Sequence, residues 1–292
     1  MALTIRPLHP TFVAEIAGVD FVRPLEQHTV SEIVAAMDAY SVCVFRRTGL
    51  TDSSHVAFSR QLGVLEHAPS LGAKRIPRFD HPELFDAGNL DAQGSLIQDG
   101  RRRLYNLGNA LWHTDSSFNE HRAAYSLLLA HEIPPAGGDT EFADMYAAYE
   151  SLPAALQSDI EDLVAEHWLW HSRMLAGYPE PTQAEREAKP PARHKLVQIH
   201  PGSRRKSLYI AAHASHIVGR PADEGLALIT KLIELATRPQ FVYRLKWQDP
   251  GDLVIWDNRC TMHRATPFED TVHRRDMRRT TVYDPVASQP LS

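Results

Sequence analysis

Leu111-Trp112-His113-Thr114-Asp115-Ser116-Ser117-Phe118 is the stretch from which the rest of the chain can be read. It carries aromatic and hydroxylic residues and neither Gly nor Pro, the composition of a strand. Side chains on a strand alternate between faces, so His113 and Asp115 are expected to point the same way. An imidazole and a carboxylate side by side supply two of the three ligands of a 2-His-1-carboxylate facial iron site. The third ligand would be a His from elsewhere in the chain. Alone, the motif is weak. With 16 His and 36 acidic residues in 292, chance gives roughly two His-x-acid matches. The other match, His81-x-Glu83, runs through Pro82 in a polar, loop-like stretch. A plain hydrogen-bonded His–Asp pair would account for His113 and Asp115 equally well, were it not for the segments that accompany them.

Composition narrows the classes. Hydrophobic residues make up 43% and charged residues 23%, ordinary values for a soluble globular protein. The net charge of −5 gives no hint of a nucleic acid or an anionic membrane as partner. No apolar run is long enough to span a bilayer. The opening Met1-Ala2-Leu3-Thr4-Ile5-Arg6 lacks the apolar core of a signal peptide. Cys43 and Cys260 give no disulfide framework, so a reduced, cytoplasmic setting is expected. Neither a Gly-x-Gly-x-x-Gly fingerprint nor a Walker loop is present, which removes support for nucleotide binding.

Working outward, the pattern is of many short strands. Residues 41–45, 125–130, 195–199, 207–212, 241–247, 252–256 and 277–283 all read as strands, with Pro201-Gly202 closing a hairpin. Helices are expected from Thr29, with Glu32 as its capping-box partner and Val30, Ile33, Val34 and Met37 as its stripe. Others are expected from Asp52 to the Gly63 stop, over 151–164 with Ser151 as cap, and after Pro221 with Leu226, Ile229, Leu232 and Ile233 inward. Residues 67–109 follow no period and read as a lid or binding loop. Residues 172–194, charged and rich in Pro, read as a second, mobile excursion. The balance is mainly β with added helices, a sandwich or jelly roll, and residues 1–292 are taken as one domain.

The segment Asp252-Leu253-Val254-Ile255-Trp256-Asp257-Asn258-Arg259-Cys260-Thr261-Met262-His263-Arg264-Ala265 supplies the missing His. Together with Trp112-His113-Thr114-Asp115 and Gly137-Gly138-Asp139-Thr140, it resembles the Fe(II)/2-oxoglutarate-dependent dioxygenases of the taurine dioxygenase family. The likeness runs over nearly the whole chain and leans to the aryloxyalkanoate (2,4-dichlorophenoxyacetate) branch. Residues 6–12, 41–46, 137–153, 211–216 and 241–244 carry that leaning.

The resemblance implies a double-stranded β-helix, with Fe(II) held by His113, Asp115 and His263. It implies 2-oxoglutarate and O2 as cosubstrates and ascorbate as a candidate reductant. A planar guanidinium suits the far carboxylate of 2-oxoglutarate. Aligned from the Thr280-Thr281 side, Arg275 takes that carboxylate with Thr140 beside it, and Arg279 lies nearer the iron. Counted forward from His263, Arg274 and Arg278 would be chosen instead. For substrate, the family positions fall on Asn109, Ser117 and Arg279. Where the aryloxyacetate branch carries a lid Lys, this chain has Leu71, with Lys74 close by. The expected substrate is a small anion with an aromatic body, and an aryloxyacetate would yield a phenol, glyoxylate, succinate and CO2. A homo-oligomer is expected, with no nucleic-acid or membrane partner. The alternatives are a taurine or other sulfonate or carboxylate dioxygenase, a zinc hydrolase on the same three ligands, and a jelly roll that binds a ligand without catalysis. The zinc hydrolase leaves Thr140 and the Arg pair without a purpose, and the non-catalytic reading would be favoured by loss of one of the three ligands, none of which is lost.

Overall fold

Leu253-Val254-Ile255-Trp256-Asp257 is apolar at four successive positions, which a strand can satisfy only if both its faces are covered. The computed structural model, which describes residues 3–67 and 78–285, places this segment in the middle of its largest sheet. The strands are β1 (Thr4–Pro7), β2 (Val13–Ala17), β3 (Val42–Phe45), β4 (Phe85–Asp86) and β5 (Ala123–Glu132). Then come β6 (Thr140–Asp144), β7 (Val164–His167), β8 (Ala192–Lys195), β9 (Val197–Ile199) and β10 (Lys206–Leu208). The last five are β11 (Ala214–Ile217), β12 (Val242–Leu245), β13 (Leu253–Asp257), β14 (Thr261–Ala265) and β15 (Asp276–Tyr283). Seven of them form the order β1-β2-β3-β13-β5-β15-β4; the smaller sheets are β12-β6-β14, β11-β7-β8 and β10-β9.

The two faces of β13 enter different cores. Leu253 and Ile255 join Cys43, Phe45, Leu127 and Leu129 against Ile33 and Met37 of the helix Gln27–Tyr40 and Val56 and Phe58 of the helix Asp52–Leu62. Val254 and Trp256 join Val42, Val44, Leu128 and Met277 against Phe142 of β6 and Leu245 of β12. The small sheet thus lies against the large one, and its own far side, with Ala143 and Met262, is sealed by Ile229 and Leu232 of the helix Ala222–Ala236.

The helix ends differ from the sequence reading where backbone and tertiary contacts compete with side-chain caps. The first helix begins at Gln27 behind Glu26, with no side-chain cap, so Thr29 lies inside it. Thr51, not Asp52, caps the second, in a reciprocal box with Ser54. The expected helix over 151–164 is reduced to Ala154–Ile160, which starts behind Pro153 and gives way to β7; a separate helix, Met145–Glu150, precedes it. Asp144 caps that earlier helix through the amides of Tyr146 and Ala147, and Ser151, expected as an N-cap, closes its C-terminal end instead. Leu226, expected inward, is exposed. Residues 172–194 hold the end of the helix Leu169–Leu175 and the helix Gln183–Ala188. In 78–109 the helix Gly100–Leu107 forms, capped by Asp99.

The Arg run in that helix ties elements together: Arg101 pairs with Glu185, Arg102 with Asp86 and Arg103 with Asp270. A tighter tie sits at the end of β13. Asp257 is fully buried and accepts from the Arg259 guanidinium and from His200 Nε2 at 2.9 Å. Burial would raise its carboxyl pKa, but Arg259 and His200 hold it well below the usual range. Removing the carboxylate strands a buried cation, so Asp257→Ala is expected to cost about 3–5 kcal/mol, read as a lower urea midpoint. A depressed carboxyl stabilises fully above its unfolded pKa of about 3.9 and loses that contribution only as acid protonates the folded form.

Candidate active site

His113 and His263 meet through one antiparallel bridge. The His113 amide donates to the His263 carbonyl at 3.0 Å, and the His263 amide donates back at 2.7 Å. The strand expected over 111–118 is limited to that pair. From Asp115 the chain turns, and Ser116 takes φ 55. The competing partner is Asn258, in the turn between β13 and β14. Its Oδ1 accepts the Asp115 amide at 3.0 Å, and its carbonyl accepts the Thr114 hydroxyl at 2.7 Å. Trp256 Nε1 and Ser126 Oγ fix that Asn in turn, at 3.0 and 2.9 Å. His113 and Asp115 do converge, but a bridge and a clamped turn bring them together, not strand alternation.

The three donors fit a shared ion. His113 Nε2 lies 3.9 Å from Asp115 Oδ1, and His263 Nε2 lies 3.6 Å from Oδ2. These separations are too long for hydrogen bonds and a little wider than the roughly 3 Å between neighbouring donors each about 2 Å from one ion, so small side-chain movements bring the three onto it. His113 Nδ1 is 2.7 Å from the Leu111 carbonyl, which puts the proton there and leaves the Nε2 lone pair facing the site. Burial lowers the pKa of both imidazoles, well below the ordinary value for His263, so both are neutral and able to ligate. Burial would raise the Asp115 pKa, but the Arg279 guanidinium foremost, with the Ser126 hydroxyl, opposes it, and the carboxyl is held at about 2. Arg279 Nη1 donates directly to Asp115 Oδ1, and Ser126 Oγ donates to Oδ2 at 2.7 Å. A second cluster, His200, Asp257 and Cys260, has metal-like spacing. It is already neutralised by Arg259, and His200 Nδ1 accepts the Gly202 and Ser203 amides, so the imidazole has no lone pair left for a cation.

The arginines near β15 divide by parity. Arg274 is paired with Glu132, and Arg278 with Asp276 and Asp52, outside the space between the sheets. Arg275, Met277, Arg279 and Thr281 point inward. Arg275 is buried and has no carboxylate partner among the described residues; it donates to the carbonyls of Ala87 at 2.9 Å and Gly138 at 3.2 Å. Burial lowers its pKa to about 10 against the opposing pull of Asp139. Gly138, at φ 67, lets the chain pass close: a Cβ there would stand 2.8 Å from Pro134. Thr140 starts β6, and its hydroxyl accepts Trp247 Nε1 at 3.2 Å.

A cavity opens beside the triad, walled by His113, Asp115, Arg279, Thr281, Asn109, Ser116, Phe118, Phe85, Tyr105, Leu169, Arg173, His213, Glu66 and Glu83. Asn109 is therefore where the sequence reading put it. Ser117 is not in the wall. The turn aims Ser116 and Phe118 at the cavity and buries Ser117, whose carbonyl accepts from His194 Nε2 at 2.8 Å. Leu71 and Lys74 lie outside the described residues. Arg173, Glu66 and His213 were missed by sequence reasoning. The available signal was a cation set in the apolar run Leu169-Trp170-His171-Ser172-Arg173-Met174-Leu175. Glu66 is buried, which raises its pKa; its carboxylate accepts from Ser116 Oγ at 2.6 Å and Asn119 Nδ2 at 2.9 Å.

Comparison with known proteins gives consistent relatives. The family model "Taurine catabolism dioxygenase TauD, TfdA family" matches residues 4–281. The alpha-ketoglutarate-dependent 2,4-dichlorophenoxyacetate dioxygenase of Cupriavidus pinatubonensis is 45% identical over 285 residues, 97% of this chain and 99% of that protein. The (S)-phenoxypropionate/alpha-ketoglutarate-dioxygenase of Sphingobium herbicidovorans is 33% identical over 301 residues, 100% of this chain and 99% of that protein. Among solved structures, AAD-2 in complex with Mn(II) and N-oxalylglycine superposes with a TM-score of 0.93 at 43% identity, covering 97% of this chain and 98% of that one.

Proposed function

The chain belongs to the taurine catabolism dioxygenase TauD, TfdA family, and on that premise we propose that it is an Fe(II)/2-oxoglutarate-dependent dioxygenase acting on a small aryloxy acid. The observation that carries the reading is the convergence of two neutral imidazoles and one ionised carboxylate on a single point. Fe(II) at such a site supplies the coupling of oxidative 2-oxoglutarate decarboxylation by O2 to hydroxylation of a substrate C–H. The jelly-roll reading of the fold belongs here too: the large sheet and β12-β6-β14 are its two walls, and residues 78–109 cover the cavity with Phe85, Tyr105 and Asn109. A reducing, cytoplasmic setting suits the two buried free thiols Cys43 and Cys260.

The chain's own groups divide the work. His113, Asp115 and His263 hold the metal, and the fixed His113 tautomer keeps a lone pair on it. Arg279 and Ser126 hold the Asp115 carboxylate in place and ionised. Arg275 takes the far carboxylate of 2-oxoglutarate, because a buried guanidinium bonded only to carbonyls still lacks its anion. Thr140 adds a hydroxyl beside it. Phe118, Phe85, Tyr105 and Leu169 give the cavity an apolar wall suited to a ring and exclude water. Hydroxylation of an aryloxyacetate at the carbon between its ether oxygen and its carboxylate gives a hemiacetal that collapses to the phenol and glyoxylate.

A substrate panel tests this. Phenoxyacetate, 2,4-dichlorophenoxyacetate, 2-phenoxypropionate and taurine are incubated with the Fe(II)-loaded enzyme, and succinate and phenol are measured. An aryloxy acid is expected to give the fastest 2-oxoglutarate-dependent succinate release, with a stoichiometric phenol. Fastest release with taurine and no phenol from any aryloxy acid would end the substrate reading and leave the oxygenase reading standing.

A further inference from the structure

One charge in the cavity wall has no counterpart. Arg173 is 5% exposed, yet its Nε and Nη1 have no hydrogen-bond partner. Its Nη2 reaches Asn109 Oδ1 only at 3.5 Å, and its guanidinium covers the Tyr105 ring at 4.4 Å. No carboxylate pairs with it among the described residues. A buried cation left this way is costly unless a ligand brings the anion. The other guanidinium in the wall, Arg279, is matched to Asp115.

The surroundings make room for this side chain. A Cβ on Gly108 would stand 1.7 Å from Arg173 Nη1. Gly108 has φ −57, which any residue adopts, so the glycine answers to the guanidinium and not to the backbone. Arg173 also shares its cavity wall with His113 and Asp115 of the triad.

We propose that Arg173 is the anchor for the substrate's acid group, with Asn109 beside it and Tyr105 and Phe118 against the substrate's body. This rests on the oxygenase reading above and moves the anion away from Arg279, whose charge is already engaged by Asp115. Nε and Nη1 are unpartnered and Nη2 makes only the long contact to Asn109, so either edge that Nη2 shares with one of them can meet a carboxylate or a sulfonate.

The test uses the Fe(II)-loaded enzyme and whichever of the four acids it turns over fastest, so a failed aryloxy reading changes the acid and not the question. The acid is compared with its uncharged amide (the sulfonamide for taurine), assayed as an inhibitor. Arg173→Gln is expected to raise the KM for the acid by about thirtyfold or more and to change the inhibition constant of the amide by less than about threefold. The KM for 2-oxoglutarate should move by less than about threefold as well. Arg173→Lys, which keeps the charge and loses the fork, should fall between the two. Gly108→Ala pushes the guanidinium aside without touching it chemically, should raise the acid's KM in the same direction, and serves if Arg173→Gln does not fold. Parallel weakening of acid and amide would show a structural role and overturn the proposal, as would an acid KM unchanged in Arg173→Gln or, failing that variant, in Gly108→Ala.

Discussion

Asp115→Ala and His113→Ala are both expected to reduce turnover to background, and to differ in what they do to the protein. Each removes one of three donors that converge within 4.8 Å, so neither variant retains the facial set that the chemistry needs. Asp115→Ala also strips Arg279 of its carboxylate and frees the Ser126 hydroxyl and, through it, the Asn258 clamp. Leaving that guanidinium unpaired in a largely buried place costs about 3–5 kcal/mol. His113→Ala removes a neutral ring and leaves a single carbonyl, that of Leu111, without its partner, a loss of about 1 kcal/mol beyond the packing. Succinate release should therefore be absent in both, while the metal-free melting temperature falls much further for Asp115→Ala. In the wild type, a strong iron chelator should abolish turnover. Full activity in either variant, or under the chelator, would sink the assignment of the triad.

The second large effect is expected at Arg275. Removing a charged fork from a buried carboxylate loses about 2–5 kcal/mol, which raises the 2-oxoglutarate requirement by about thirtyfold to several thousandfold. Saturating 2-oxoglutarate should recover much of kcat, because the ligand triad is untouched. Thr140→Ala deletes one hydrogen bond to a charged group, about 1.5–3 kcal/mol, and should do less harm. Arg274→Ala is the control. Its side chain is paired with Glu132 at the surface, so 2-oxoglutarate kinetics should not change. If Arg274→Ala were the damaging substitution and Arg275→Ala harmless, the pairing of residue to cosubstrate would have to be reversed.

The legible parts of the sequence were those set by periodicity and by charge. β13 announced itself by apolar residues on both faces, and the inward parity of Arg275 and Arg279 followed from counting back along β15. The His113–Asp115 pair was found for an incomplete reason. Strand composition concealed a turn that exists only because Asn258, more than a hundred positions away, captures the Asp115 amide. The same limit hid the helix that Asp144 caps and the start of the next one behind Pro153. Arg173 was the harder case. Its segment looked irregular because charged residues and prolines follow it, and its isolation becomes visible only once Tyr105, Asn109 and Gly108 are folded around it.

The single bridge between His113 and His263 has a consequence for the order of events in assembly. Two ligands near the middle of the chain and one far toward its end can meet only after β5, β13 and β14 have docked. Contacts between residues this distant in sequence form slowly and late. No partly folded or nascent chain lacking β14 can offer more than two of the three donors at one point. The metal therefore cannot serve as the seed of folding, as it does in small zinc modules whose apo chains are unfolded. It arrives at a finished cavity, so a cell starved of iron would accumulate a folded, empty protein ready to be loaded.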